Sequence, residues 1–202
     1  MSDNPDTGPY RPLSYFQLME VTLRELLVEK GIVTEEQVRD AVDDMKRRTP
    51  ERGARVVARA WVDAEYKKRL LENGTAACEE LGIDVPALKL VVVENTPQVH
   101  NVIVCTLCSC YPRPLLGIPP EWYKSRNYRS RTVREPRAVL AEFGLDIPEE
   151  VQIRVHDSTA DMRYMVLPMR PQGTEGWDEE RLAALVNRDS MIGVAVPKVP
   201  NE

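Results

Sequence analysis

The stretch Val99-His100-Asn101-Val102-Ile103-Val104-Cys105-Thr106-Leu107-Cys108-Ser109-Cys110-Tyr111-Pro112 joins a short apolar run to three cysteines and a proline. The run Val99–Val104 reads as a buried strand, so the cysteines fall in the loop that follows it. Pro112, Pro114, Pro119 and Pro120 come next. Proline fixes φ and removes an amide donor, so this flank has little freedom to rearrange and suits a loop that must hold several ligand atoms.

Working backwards from this loop, Leu88–Val93 is another strand candidate, and before Gly82 the pattern is helical. Phe16, Met19, Leu23, Leu26 and Leu27 follow helical spacing from Tyr15 to Lys30, with Gly31 as a stop. Thr34-Glu35-Glu36-Gln37 predicts a capping box opening a second helix, which Pro50 ends. Ala54, Val57, Ala58 and Trp61 mark a third, and a fourth spans about Ala64 to Leu81. Residues 1–14, with three prolines, read as an arm without its own core.

Beyond the loop, the Pro119–Arg131 segment predicts a helical turn and Pro136–Phe143 a helix, with proline in its first turn and Gly144 as its stop. Val151–His156 alternates with period two, and Arg163–Leu167 and Met191–Val196 are further strand candidates. Asp178 is placed to cap a last helix through Arg188. The predicted class is α+β: an N-terminal helical arm over residues 1–82, then a layered α+β domain over 83–202 carrying the cysteine loop.

Composition narrows the function. The 202 residues carry 27 basic and 32 acidic side chains, a net charge of −5, which argues against nucleic-acid binding and a polybasic membrane anchor. No apolar stretch approaches the roughly 20 residues that span a bilayer, and Met1-Ser2-Asp3-Asn4-Pro5-Asp6 has neither the basic start nor the apolar core of a secretion signal. The expected location is the cytoplasm. Four cysteines are too few for a disulfide scaffold of this size, yet three of them crowd into six residues.

Three chemistries compete for that cluster. Zinc wants four closed ligands, usually in two Cys/His pairs, and Cys78, His100 and His156 show no matching spacing. Cys105 and Cys108 have the Cys-X-X-Cys spacing of redox thiols, without a thioredoxin-like βαβ context and with no role for Cys110. In the third reading Cys108-Ser109-Cys110 chelates as a unit. Its two sulfurs bracket the amide nitrogens of Ser109 and Cys110, giving an S2N2 plane, with Cys105 as an axial sulfur and the opposite side open. Deprotonating amides requires a strong Lewis acid with a geometric preference, which points to trivalent cobalt or iron. Spacing alone leaves all three standing, along with an incidental thiol cluster.

Cys105-Thr106-Leu107-Cys108-Ser109-Cys110 followed by Tyr111-Pro112 resembles the metal claw of nitrile hydratase α subunits and of the related thiocyanate hydrolase γ subunit. Pro119–Ser125, Val133–Arg137, Arg163–Pro168, Gly173–Trp177 and Ile192–Ala195 resemble family segments in the same order. The resemblance implies hydration of a nitrile to an amide at a non-corrin Co(III) centre held by Cys105, Cys108, Ser109 and Cys110. Thr106 is the cobalt-type form, where the iron type has serine. It further implies sulfinate at Cys108 and sulfenate at Cys110, and a β-type partner, one chain or split into two, whose arginines pair with those oxygens. Cys110 and Ser109 would act on substrate, and Arg163 would tie the site to the partner. Two positions depart from the nitrile pattern. Arg113 replaces a frequent tryptophan and is similar to thiocyanate hydrolase, favouring an anionic substrate or a polar nitrile that needs a hydrogen-bond donor, and Pro86 stands where a glutamine is expected.

Overall fold

In the computed structural model, residues 13–85 and 89–200 are described; Pro86 and the arm before Leu13 lie outside them. The chain divides into two compact units, Met1–Met45 and Lys46–Glu202. In the first, Ser14 Oγ and Gln17 Oε1 accept each other's backbone N–H to cap α1 (Tyr15–Glu29). Thr34 and Gln37 close the expected box at the head of α2 (Glu35–Arg47). Glutamates open α2 and Lys46 and Arg47 close it, as the helix dipole favours. No residue of α1 is buried, and its stripe of Phe16, Met19, Leu23 and Leu26 faces outward.

The second unit begins earlier than Gly82, where the domain boundary was expected. Helices α3 (Pro50–Val62), α4 (Ala64–Glu72) and α5 (Gly74–Glu80) place Val56, Val57, Tyr66, Leu70 and Ala77 in the same core as the strands. They belong with the sheets because an amphipathic helix must bury its apolar face. Pro50 starts α3 at its first turn rather than ending α2, a position where its missing N–H costs nothing. The single helix expected over 64–81 is two. Asn73 Oδ1 accepts from Ala76 N, and a side chain at Gly74 would sit 2.8 Å from the Leu90 carbonyl oxygen. The break lets α5 lie flat against a strand.

The strands form two parallel pairs: β1 (Lys89–Glu94) with β4 (Met162–Leu167), and β2 (Val99–Val104) with β3 (Gln152–Asp157). Parallel neighbours need long crossovers. The chain between β2 and β3 supplies α6 (Arg113–Leu116), α7 (Glu121–Lys124), α8 (Arg126–Arg134) and α9 (Pro136–Glu142). Positions 100–104 of β2 are all buried, as parallel strands covered on both faces require. Trp61 and Trp122 pack half-buried against this core, Trp61 donating to Pro168 O. The α+β class stands. Among the described residues no helix is long and apolar enough to cross a membrane.

Past β4 come α10 (Glu179–Ala183), capped by Asp178, and α11 (Arg188–Ile192), capped by Asn187. The segment 191–196 is therefore no strand, and the helix predicted from Asp178 to Arg188 is interrupted. The apolar run at 191–194 is buried as the end of a helix, and Gly193 (φ +95°) turns the chain directly over the backbone of Asn101.

A buried polar chain ties these parts together. His100 Nε2 meets Gly193 O at 2.7 Å, so Nδ1 accepts from Asn95 Nδ2 at 3.3 Å. Asn95 Oδ1 accepts from Asn101, whose own Oδ1 accepts from His156 Nε2 at 2.8 Å. Burial pushes both imidazole pKa values down, with Arg154 adding to the effect at His156. The unfolded chain takes up these protons first, near pH 6.5. Their contribution to stability is thus complete above that value and lost as pH falls below it. The urea midpoint is expected to drop between pH 7 and pH 5, and His100→Gln with His156→Gln to flatten that slope.

Candidate metal centre

The cysteine loop leaves the C-terminal end of β2 and is gripped on three sides. Asp157, level with Val104 in the β2–β3 register, accepts from Thr106 N at 2.9 Å and from Thr106 Oγ1 at 2.5 Å. Arg129 Nη1, from α8, donates to Cys108 O at 2.6 Å. Tyr123 OH, from α7, donates to Cys110 O at 2.8 Å. Pro112 and the short helix α6 stiffen the exit, as expected from the prolines.

Inside this grip the sulfurs converge. Cys105 Sγ lies 3.5 Å from Cys108 Sγ, which lies 3.2 Å from Cys110 Sγ. All three fall within 4.8 Å of one another, the only such group of potential metal ligands among the described residues. Cys105 is fully buried, Cys108 exposed and Cys110 between. Cys78 is buried elsewhere and takes no part. Cys108 N–H donates to Cys105 Sγ at 3.3 Å, and the backbone amides of Ser109 and Cys110 help to lower the Cys108 thiol pKa.

These bonds set the thiol acidities. Hydrogen bonds from the Cys110 and Cys105 thiols, helped by those two amides, pull Cys108 down to about 7. Burial, with the neighbouring Cys108 sulfur, pushes Cys110 up to about 12, while Arg163 opposes the rise. The two thiols therefore titrate as a coupled pair. The donor set fits a thiolate-bound metal: one thiolate is already favoured near neutrality, two more sulfurs stand beside it, and the Ser109 and Cys110 amides lie in the chain between the Cys108 and Cys110 sulfurs.

The open side is a depression of about 360 Å³ lined by Arg48, Cys108, Ser109, Cys110, Arg113 and Arg163. Arg113, the first residue of α6, is exposed, and among the described residues its side chain pairs with no carboxylate. Arg163 lies on β4 with its Nε buried and unpartnered. Each site residue predicted from sequence thus lies at this one place. Sequence reasoning missed Asp157, Arg129 and Tyr123. The available signal for the first was an aspartate directly following the alternating run Val151–His156.

Fold and site together define a chain that presents three clustered thiols, able to hold a metal ion, at the end of a pair of parallel strands. The sequence profile described as "Nitrile hydratase, alpha chain" matches residues 14–195, and the chain belongs to that family. It is 52% identical over 186 residues to the low-molecular weight cobalt-containing nitrile hydratase subunit alpha of Rhodococcus rhodochrous, covering 89% of this chain and 88% of that one. It is 50% identical over 198 residues to the thiocyanate hydrolase subunit gamma of Thiobacillus thioparus, covering 92% and 82%. Among solved structures, a double mutant of the Fe-type nitrile hydratase of Comamonas testosteroni Ni1 superposes with a TM-score of 0.89 at 46% identity, covering 95% of this chain and 97% of that one. Both relatives resembled from sequence are thus found, and an iron-type fold neighbour stands beside the cobalt-containing one.

Proposed function

We propose that this chain is the metal-bearing subunit of a cobalt nitrile hydratase, adding water across a carbon–nitrogen triple bond to give an amide. The observation that carries the reading is the convergence of the three thiols of the Cys105–Cys110 loop, in a chain half-identical to a cobalt-containing relative. Cys105, Cys108, Ser109 and Cys110 would hold a trivalent cobalt ion. Once bound, the ion supplies Lewis acidity that makes the nitrile carbon electrophilic.

The chain's own residues do the rest. Cys108 would be oxidised to sulfinate and Cys110 to sulfenate by an external oxidant of the dioxygen or peroxide class, which supplies the oxygen atoms and accepts the electrons, so that Cys110 presents an oxygen toward the depression. Ser109 Oγ donates a hydrogen bond to the substrate nitrogen and orients it. Water oxygen, directly or by way of the oxygen on Cys110, adds to the nitrile carbon, and the nitrogen takes up the protons to leave the amide. Arg163 sits beside Cys110 and links the site to a β-type partner, present as one chain or two, that closes the exposed side. Anionic sulfur oxygens need charge-assisted donors, and Cys108 is open to such a partner. The four free cysteines support work in the reducing cytoplasm.

Arg113 favours a second reading, a thiocyanate hydrolase γ-type subunit yielding carbonyl sulfide and ammonia. Its guanidinium faces the depression without a carboxylate of its own, alongside two further arginines, which suits an anion. Purified complex is to be assayed with a neutral nitrile and with thiocyanate, with metal content and intact mass measured on the same sample. Cobalt with three added oxygens and nitrile turnover is expected; zinc on three unmodified thiols would reject both readings. Arg113→Met is expected to cut kcat/KM for thiocyanate by about tenfold, the equivalent of about 1.4 kcal/mol, and to leave the nitrile value within about twofold.

A further inference from the structure

Arg129 and Arg131 lie two residues apart on α8 and are treated oppositely. Arg131 is neutralised by Glu135 and Glu142. Arg129 has no carboxylate partner among the described residues; its Nη1 bonds a neutral carbonyl at 2.6 Å and its Nε is buried with no acceptor. A half-buried, unpaired guanidinium is costly, and arginine gains most where its charge meets an anion. The adjoining depression, lined by Thr106, Arg126, Ser130, Val133 and Arg134 besides Arg129 itself, has no carboxylate in its lining, and the nearby Asp157 carboxylate already accepts from Thr106.

The identity of the accepted oxygen explains the arrangement. Cys108 O, which accepts from Arg129, belongs to the same peptide group as Ser109 N, a ligand nitrogen on the reading proposed above. When an amide nitrogen binds a metal as an anion, resonance places part of its negative charge on the carbonyl oxygen. A cation hydrogen-bonded to that oxygen stabilises the ligating form and holds the peptide plane so that the nitrogen faces the sulfurs. We propose that Arg129 is a positioning residue of the claw, the counter-charge this chain itself supplies to the Cys108–Ser109 peptide, before any partner arginine is added. The proposal rests on the amide-ligated reading above and names a group that acts on that ligand through its carbonyl.

The test compares Arg129→Lys, Arg129→Gln and Arg129→Met in the full chain co-expressed with its partner in cobalt medium. Cobalt per chain, the sulfur-to-metal charge-transfer absorption and the thermal midpoint are measured for each. Lysine is expected to keep near-wild-type cobalt and the wild-type band. Methionine is expected to lose about 10- to 100-fold in cobalt affinity, as for other groups that orient metal ligands, and to shift the band in whatever fraction loads. Glutamine, a donor without charge, should fall between the two. Wild-type loading and an unmoved band in both the methionine and glutamine variants would overturn the role of Arg129 while leaving the metal centre intact. If methionine lowers the thermal midpoint, the comparison of lysine with glutamine decides, and equal loading in those two overturns the role of the charge. Zinc and unmodified thiols in the wild-type complex would instead overturn the amide-ligated reading, and this inference with it.

Discussion

Cys105→Ala is expected to yield a folded chain with almost no cobalt and no measurable hydration of any nitrile. Losing a group that merely orients a ligand already costs roughly 10- to 100-fold in affinity, and here a donor itself is removed. Cys105 is the fully buried member of the three, the one an outside thiol or water cannot replace. It also accepts the Cys108 N–H, so its loss frees the loop as well as emptying one position. Cys78→Ala supplies the contrast. That thiol is pushed up to about 12 by burial, stands apart from the cluster, and should cost about 1 kcal/mol of stability with cobalt content unchanged. Metal analysis and turnover on both variants check the pair, and full cobalt in Cys105→Ala would remove it from the ligand set.

Gly193→Ala is expected to have the largest effect on stability. An added methyl carbon would stand 2.1 Å from Asn101 O and 2.9 Å from Val102 Cα. Both obstacles are backbone of a buried strand and cannot swing aside. The residue also holds φ at +95°, a conformation that costs a side chain about 1–3 kcal/mol by itself. A total of at least about 4 kcal/mol places this among exceptional substitutions, a fall in Tm of roughly 8–16 °C for a chain of this size. The carbonyl that receives His100 Nε2 would shift too, loosening the buried polar chain. Gly82→Ala, with φ +69° and nothing within 4 Å, isolates the conformational part and should cost only about 1–2 kcal/mol. Equal losses in the two variants would show that the close approach at Gly193 contributes nothing.

Gly193 also marks a limit of sequence reading. The run from Met191 to Val196 has a strand's composition, and only the backbone crossing at Asn101 explains why the chain turns there instead. Similarly, nothing local to residues 64–81 announces that Gly74 must press against the Leu90 carbonyl, although Asn73-Gly74 is a capping and turn signal in plain view. By contrast β2, buried from position 100 to 104, is legible from end to end, because its short, mostly apolar run stops sharply at the cysteine loop. The helical residues 50–80 were legible as helices but not as part of the core, since amphipathic periodicity says that a face is covered without saying by what. The same division runs through the site. Ligand types sit within six residues and their spacing alone admits an S2N2 chelate. The groups that hold the loop come from 13 to 51 residues further on, and such long-range pairing leaves no periodic trace.

That separation fixes an order of events during synthesis. When Cys110 is joined to the growing chain, Arg129 and Asp157 have not been made, and β2 has no strand partner until Gln152–Asp157 emerges to pair with it. A truncated nascent chain would offer three loose sulfurs and no shaped cradle, open to whichever soft cation or oxidant arrived first. Loop closure over some fifty residues comes before the contacts that reward it. Insertion of the correct ion therefore belongs to the completed subunit, and expression conditions that slow elongation beyond residue 110 should favour mismetallated product.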